Sequence, residues 1–208
     1  MLIERLRKEF PYNTPILTNE ILNIMQGYSR SYIYQLISDE EKKGNLIRYD
    51  NGIYYLPTNT RFGKSVIVAN DVVEKKYIAN KGETFGIYGK YVIDLNFLAS
   101  YQVPNTIEVI TNKETRRVRE INIKGRRVIL RKSRCKITNA NADAYTLVEF
   151  FNNINMRQYK EEKQISKMVK EYICEKNIKR DDVMEVAESF PSRALKNLAM
   201  SGILYEIR

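Results

Sequence analysis

The stretch Leu46-Ile-Arg-Tyr-Asp-Asn-Gly-Ile-Tyr-Tyr-Leu56 decides the fold of the amino-terminal part of the chain. Two short runs of β-forming residues flank Asn51-Gly52, and Asn-Gly is the strongest short signal for a β-hairpin. Pro57 follows the second run and closes it. The sequence therefore predicts a two-stranded hairpin over residues 46–56.

Three helices are predicted before this hairpin. Apolar residues recur at helical spacing over residues 2–10, 19–25 and 30–43. Thr18 and Ser29 stand where N-caps of the second and third helices belong. Helix, helix, turn, helix and hairpin within sixty residues is the order of elements in a winged helix-turn-helix.

In that geometry the exposed face of the third helix lies in the major groove of DNA. The candidate contacts are Arg30, Ser31, Tyr34, Gln35 and Ser38 on the helix and Arg48, Tyr49 and Asn51 at the hairpin. Arg and Gln can read guanine and adenine edges, whereas Ser, Tyr and Asn commonly contact phosphates. The alternative is a protein-interaction module, since residues 1–60 carry seven basic and seven acidic residues and are electrically neutral.

The positive charge of the chain is concentrated elsewhere, in one segment. Residues 112–136 contain eleven basic and two acidic residues and so supply +9 of the net charge of +10. β-forming residues interleave with these cations, and Lys124-Gly125 interrupts them, so we expect a two-stranded ribbon over 116–123 and 126–132. The predicted basic patch consists of Arg116, Arg117, Arg119, Lys124, Arg126, Arg127, Arg131, Lys132, Arg134 and Lys136.

An ordinary solvated surface mixes charges of both signs, which favours a polyanionic partner for this patch. Double-stranded DNA is the first expectation, and RNA or an acidic protein is the alternative. The charged amino terminus, and the absence of any apolar run near the ~18 residues of a membrane span, predict a cytoplasmic protein that does not enter membranes.

The remaining chain predicts a second, mixed domain over residues 61–208. Residues 106–111 alternate as a strand, and apolar residues have helical spacing over most of 62–79 and over 91–98. Residues 139–208 are predicted to form a helical bundle, and Asn139 is predicted to cap its first helix. Residues 203–207 are a possible edge strand. The predicted class is α+β: a winged helix-turn-helix over 1–60, then a small antiparallel-sheet domain with carboxyl-terminal helices.

Composition excludes several catalytic classes. The chain has no histidine, which excludes a Ser-His-Asp triad and histidine-containing zinc sites. Cys135 and Cys174 form no C-x-x-C pair, so neither a disulfide framework nor a thiolate metal site is indicated. We expect no enzyme, no catalytic residues, no metal and no cofactor. The enzymatic alternative is a metal-dependent nuclease built from Asp94, Glu108 and Lys113, although the last two point to opposite faces of a strand.

Several short motifs follow one another in a fixed serial order. These are Lys43-Gly44, Asn51-Gly-Ile-Tyr-Tyr-Leu-Pro57, Arg61-Phe-Gly63, Gly86-Ile-Tyr-Gly89, Asn96-Phe-Leu-Ala-Ser-Tyr-Gln-Val-Pro104, Thr111-Asn112 and Leu130-Arg-Lys132. In this serial order the chain resembles the AbiEi-like antitoxins of type IV (abortive infection) toxin-antitoxin systems over about residues 1–150.

The resemblance implies a bacterial repressor whose winged helix binds an operator with inverted repeats in its own toxin-antitoxin operon. It also implies a carboxyl-terminal domain that counteracts a nucleotidyltransferase-like toxin, and no catalytic residues. The chain departs from the family pattern at Glu40, where the helix is usually apolar, and in its divergent last helices.

Overall fold

The computed structural model describes residues 1–90, 93, 97 and 106–207. In these ranges the chain is a mixed α+β protein with small sheets and carboxyl-terminal helices, as predicted. It divides into two units, Met1–Lys76 with Ile123–Gly125, and Tyr77–Asn122 with Arg126–Arg208. The first unit therefore extends past the predicted boundary at residue 60. The predicted helix at 91–98, the candidate Asp94 and most of the motif at 96–104 lie outside the described residues.

Helices and one three-stranded sheet make up most of the first unit. In chain order the elements are α1 (Leu2–Glu9), β1 (Ile16–Leu17), α2 (Thr18–Ile24), α3 (Arg30–Lys43), β2 (Ile47–Asp50) and β3 (Ile53–Tyr55). The strands pair antiparallel in the order β1-β3-β2. The apolar stripes of the three helices share one buried cluster that includes Leu6, Ile21, Ile33 and Ile37.

The two predicted N-caps have different outcomes. Ser29 caps α3 as predicted, because its hydroxyl accepts a hydrogen bond from the Tyr32 amide at 3.3 Å. Thr18 is instead the first residue of α2, and Leu17 occupies the cap position, where its amide donates to the Glu20 carboxylate at 2.8 Å. The Thr18 hydroxyl donates to the Gly52 carbonyl at 3.1 Å and so ties α2 to the turn of the predicted hairpin.

The chain after this hairpin is only partly helical. A second, short hairpin joins β4 (Asn59–Thr60) and β5 (Gly63–Lys64), where the sequence predicted the start of a helix. The helix begins later, as α4 (Ala69–Val73), and continues as a π-helix over Glu74–Ile78. The Lys75 ammonium lies 3.0 Å from the buried Glu20 carboxylate and so anchors this segment to α2.

Short strands and one four-stranded sheet open the second unit. The strands are β6 (Ala79–Asn80), β7 (Glu83–Thr84), β8 (Gly86–Tyr88), β9 (Thr106–Thr111), β10 (Val118–Ile123) and β11 (Arg126–Lys132). The predicted ribbon is confirmed in β10 and β11, and the turn residues Lys124 and Gly125 have φ of 49° and 83°.

The sheet order is β10-β11-β9-β8, and β11 runs parallel to β9 whereas β8 runs antiparallel to it. The predicted antiparallel sheet therefore contains one parallel pair, β11 with β9. The second strand of the ribbon pairs with β9 and leaves β10 at the edge. At the other edge, a Cβ on Gly86 would lie 2.2 Å from the Tyr77 carbonyl oxygen, so only glycine permits this close approach.

Five helices and a final turn complete the second unit. They are α5 (Ala142–Asn153), α6 (Met156–Glu161), α7 (Lys163–Lys176), α8 (Arg180–Glu188), α9 (Ser192–Ser201) and a 3₁₀ turn (Ile203–Tyr205). Their apolar faces share one core with Ile87 and Ile110 of the sheet. Among the described residues, none of the helices has the length and apolarity needed to cross a membrane.

Two local predictions for these helices are wrong. Asn139 does not cap α5, because its side chain accepts from the Thr84 amide and donates to the Gly82 carbonyl, both at 2.6 Å. Asn141 holds the cap position instead. The predicted edge strand at 203–207 contains a 3₁₀ turn, because its apolar residues fold back onto the helical core.

Candidate nucleic-acid interface

The outer face of α3 is polar and accessible. Four of the five predicted contact residues, Arg30, Ser31, Tyr34 and Gln35, are exposed, and Ser38 is half-buried. The opposite face is anchored by Ile33 and Ile37, each 2% exposed. This packing fixes the rotation of the helix, so the polar residues face solvent in the first unit.

The β2–β3 hairpin presents two of its three predicted contacts. Arg48 and Asn51 are exposed, and the Arg48 guanidinium donates to the Asn51 side chain at 2.8 Å. Tyr49 is 7% exposed, so little of its side chain is accessible to a phosphate, unlike the other two predicted contacts. Successive residues of a strand point to opposite faces, and exposure of Arg48 therefore buries its neighbour.

The β4–β5 hairpin adds an accessible aromatic residue that sequence reasoning did not select. Phe62 lies in its turn and is fully exposed, at 101% of the reference area. The Thr60 hydroxyl holds the turn by donating to the Gly63 carbonyl at 2.7 Å. Arg61 and Lys64 flank the aromatic ring along the chain and are also exposed. The available signal was the short Arg61-Phe-Gly63 motif, which lies in a segment interpreted mainly as helix.

Several cations of the predicted basic patch have partners inside the chain. Arg119 pairs with Glu114 at 2.6 Å, Arg127 pairs with Glu120 at 2.7 Å, and Arg131 pairs with Glu108. The Lys124 ammonium lies 5.8 Å from the Tyr49 ring centroid, and the Arg134 guanidinium carbon lies 5.1 Å from that of Phe190. Arg126 is half-buried. These contacts hold part of the predicted patch in place.

Four members of the basic patch are exposed and have no carboxylate partner in the described part of the chain. Arg116, Arg117, Lys132 and Lys136 are exposed, and none of them forms an ion pair in the described part of the chain. Because no carboxylate of the described chain pairs with them, their positive charge is available to an external partner. The sequence predicted the position of the positive segment but did not separate these residues from the paired ones.

Two carboxylates inside the basic segment remain ionised. Burial alone would raise the pKa of Glu114, but hydrogen bonds from the Arg116 amide and the Arg119 side chain outweigh it and lower the pKa. The pKa of Glu120 is lowered by the hydrogen bond from Arg127. The segment therefore contains its own anions, which orient Arg119 and Arg127.

The residues of the nuclease alternative are engaged in other contacts. Glu108 is buried and pairs with Arg131, and the Lys113 ammonium lies 3.4 Å from the centroid of the Phe85 ring. Asp94 lies outside the described residues. Within those that are described, no group of three or more side chains is arranged to hold a metal ion.

A concave site, here called the basic pocket, lies in the second unit. It has a volume of about 300 Å³ and is lined by Ile110, Arg117, Arg131, Lys132, Arg134, Tyr145 and Glu149. Four of these seven residues are cations of the predicted patch. The chain thus offers a cationic cavity in addition to its exposed cationic side chains.

Comparison with protein-family models, with curated proteins and with solved structures finds no significant match to this chain.

Proposed function

We propose that this chain is a cytoplasmic bacterial regulator that binds double-stranded DNA, with a winged helix-turn-helix in its first unit. We further propose that it is the antitoxin of a toxin-antitoxin pair and represses the operon that encodes both proteins. The proposal includes no catalytic step, metal or cofactor.

The observation that carries the DNA-binding proposal is the accessible polar face of α3. The element order α1-β1-α2-α3-β2-β3, with strands ordered β1-β3-β2, supports a winged helix-turn-helix with α3 as the recognition helix. Arg30 and Gln35 are the residues on this face that can form paired hydrogen bonds with base edges. Arg48 and Asn51, which are exposed on the β2–β3 hairpin, are the phosphate contacts that we propose for the wing.

The positive segment at residues 112–136 supports the same function. Contacts with phosphates supply most of the affinity of DNA-binding proteins, and the first sixty residues carry no net charge for this purpose. Arg116 and Lys136, which form no ion pair with the residues that the structure describes, are suited to this role. The antitoxin part of the proposal is supported by the resemblance to AbiEi-like antitoxins.

The DNA-binding proposal is tested by electrophoretic shift on the promoter region of the gene. Arg30→Ala and Gln35→Ala should each weaken operator binding by about 1–3 kcal/mol and leave binding to random DNA nearly unchanged, because base contacts carry sequence discrimination. Lys42→Ala is the matched control, since Lys42 is an exposed cation in the last turn of the same helix.

Equal losses on operator and random DNA would show that α3 does not read sequence. Absence of any shift would favour a protein-interaction module. The antitoxin function is tested separately by expressing the chain with the product of the adjacent open reading frame. Growth should be restored, and the Arg30→Ala Gln35→Ala double variant should restore it equally if the two functions reside in different units.

A further inference from the structure

The basic pocket combines cations that differ in how firmly they are held. Arg131 donates from Nε to the Glu108 carboxylate, and its two terminal guanidinium nitrogens have no acceptor among the described residues. The backbone amide of Arg134 donates to the Tyr145 hydroxyl at 2.9 Å, and its guanidinium lies over the Phe190 ring. Both arginines are thus positioned before any ligand arrives, which reduces the entropy lost on binding.

The other two cations of the basic pocket provide uncompensated charge. Arg117 and Lys132 are exposed and form no ion pair in the part of the chain that the structure describes. Two carboxylates offset part of this positive charge. Glu149 lines the pocket, and Glu108 pairs with Arg131. With all of these groups ionised, the site has a net charge of +2.

We propose that the basic pocket binds the phosphate group of a small phosphorylated molecule. A phosphate monoester carries a charge of about −2 at neutral pH, which matches the excess of positive charge in the pocket. Arginine guanidinium groups pair with phosphate oxygens in bidentate geometry, and Lys132 supplies a compact point charge. The volume of about 300 Å³ lies at the lower end of known ligand sites, which favours a small ligand over a polymer.

Glu149 is the acidic residue in the lining of the basic pocket. Its carboxylate lines the cavity and accepts a hydrogen bond from the Asn153 amide at 2.8 Å, but it forms no ion pair with the neighbouring arginines. A carboxylate in this position opposes a bound phosphate. Glutamine has the same shape and still accepts from Asn153, so Glu149→Gln removes the repulsion alone.

This inference does not depend on the proposed DNA binding, and it is tested on the full chain without DNA. Calorimetric titration with inorganic phosphate, AMP and adenosine in a phosphate-free chloride buffer should give binding for the first two and none for adenosine. Arg117→Gln and Lys132→Gln should each weaken binding of AMP about tenfold. Glu149→Gln should strengthen it.

Arg116→Gln and Lys136→Gln are the matched controls. Both are exposed patch cations without ion pairs in the described chain, they lie outside the basic pocket, and their substitution changes the net charge by the same amount. Unchanged AMP binding in these controls supports a defined site. Equal weakening in all four variants would show that only the general positive field attracts the anion, and would overturn the proposal.

The phosphate of nucleic acid is the other source of the same chemistry. If phosphate and AMP fail to bind while Arg117→Gln and Lys132→Gln weaken duplex binding more than Lys163→Gln and Lys179→Gln do, the pocket holds a backbone phosphate and the small-molecule proposal is overturned. If AMP binds as expected but the promoter shift is absent, the pocket is established and the proposed regulator function fails. Retained thermal melting temperatures verify that each variant is folded.

Discussion

Glu114 illustrates how one buried carboxylate organises a cationic segment. It is 4% exposed and accepts hydrogen bonds from the amides of Thr115 and Arg116, both at 3.0 Å, and from the Arg119 side chain at 2.6 Å. These bonds favour the ionised form of the carboxylate. Glu149 is the opposite case, because burial raises the pKa of its carboxyl above the ordinary value.

The two carboxylates predict opposite dependences of stability on pH. Because the pKa of Glu114 is lowered from its ordinary value of 4.5, its stabilisation is complete above that value and is lost as the pH falls through the lowered pKa. Glu114→Gln should therefore lower the melting temperature at pH 7 by several degrees, as expected for a loss of about 1–3 kcal/mol. The deficit should shrink as the pH falls below 4.5.

Glu149 has a raised pKa, so its stabilising contribution is present below its ordinary value of 4.5 and is lost as the pH rises through the raised pKa. Glu149→Gln should leave the melting temperature equal or higher at pH 7, with no gain at low pH. Glu120→Gln is the control, since it removes an exposed ion-paired carboxylate. A Glu114→Gln deficit that is the same at pH 4 and pH 7 would contradict the ionised role of Glu114.

At the scale of elements, the turn of the β4–β5 hairpin carries an aromatic side chain that is available for binding and contributes nothing to packing. Phe62 in its turn is fully exposed, so its truncation removes no buried surface and should leave the melting temperature unchanged. If the first unit binds DNA as proposed, the ring and the adjacent Arg61 are available to contact a groove, where apolar side chains often wedge between bases.

We expect Phe62→Ala to weaken duplex binding about tenfold in an anisotropy titration. Tyr12→Ala is a matched control, because Tyr12 is another exposed aromatic residue of the first unit. Equal effects of the two substitutions would assign the loss to general surface apolarity and not to the hairpin.

The elements that the sequence predicted are those specified by local signals. The period of apolar residues and the cap at Ser29 define α3, and alternation defines Thr106–Thr111 with the predicted bounds. The parallel pairing of β11 with β9 was missed because it depends on which distant strand the ribbon meets, and alternation does not encode this. Asn139 fits the local pattern of an N-cap, but its bonds to Gly82 and Thr84 join residues more than fifty positions apart, which no local pattern predicts.

The candidate site was predictable to a similar extent. Counting charges located the cationic segment, and helical periodicity selected the exposed face of α3. Neither method detects ion pairs, and Arg131 meets Glu108 across 23 positions of sequence. Alternation within β2 was sufficient to predict the burial of Tyr49 beside the exposed Arg48, but this signal was not used.

At the scale of the whole molecule, a net charge of +10 makes any binding of nucleic acid sensitive to salt. Each phosphate that a cation neutralises contributes about −0.9 to the slope of log K against log salt concentration. Four contacts from the positive segment would give a slope of about −3.6. The paired cations Arg119 and Arg127 contribute less, because their own carboxylates already compensate them.

The double substitution Arg116→Gln Lys136→Gln should therefore reduce the slope by about 1.8 if both residues contact phosphates. Lys163→Gln Lys179→Gln is the matched control, because both lysines are exposed, lie in the carboxyl-terminal helical region and change the net charge equally. Duplex affinities measured by anisotropy between 50 and 200 mM salt give both slopes. A reduction of the same size in the two double variants would mean that the overall charge attracts DNA and that the segment at residues 112–136 makes no specific contacts with its phosphates.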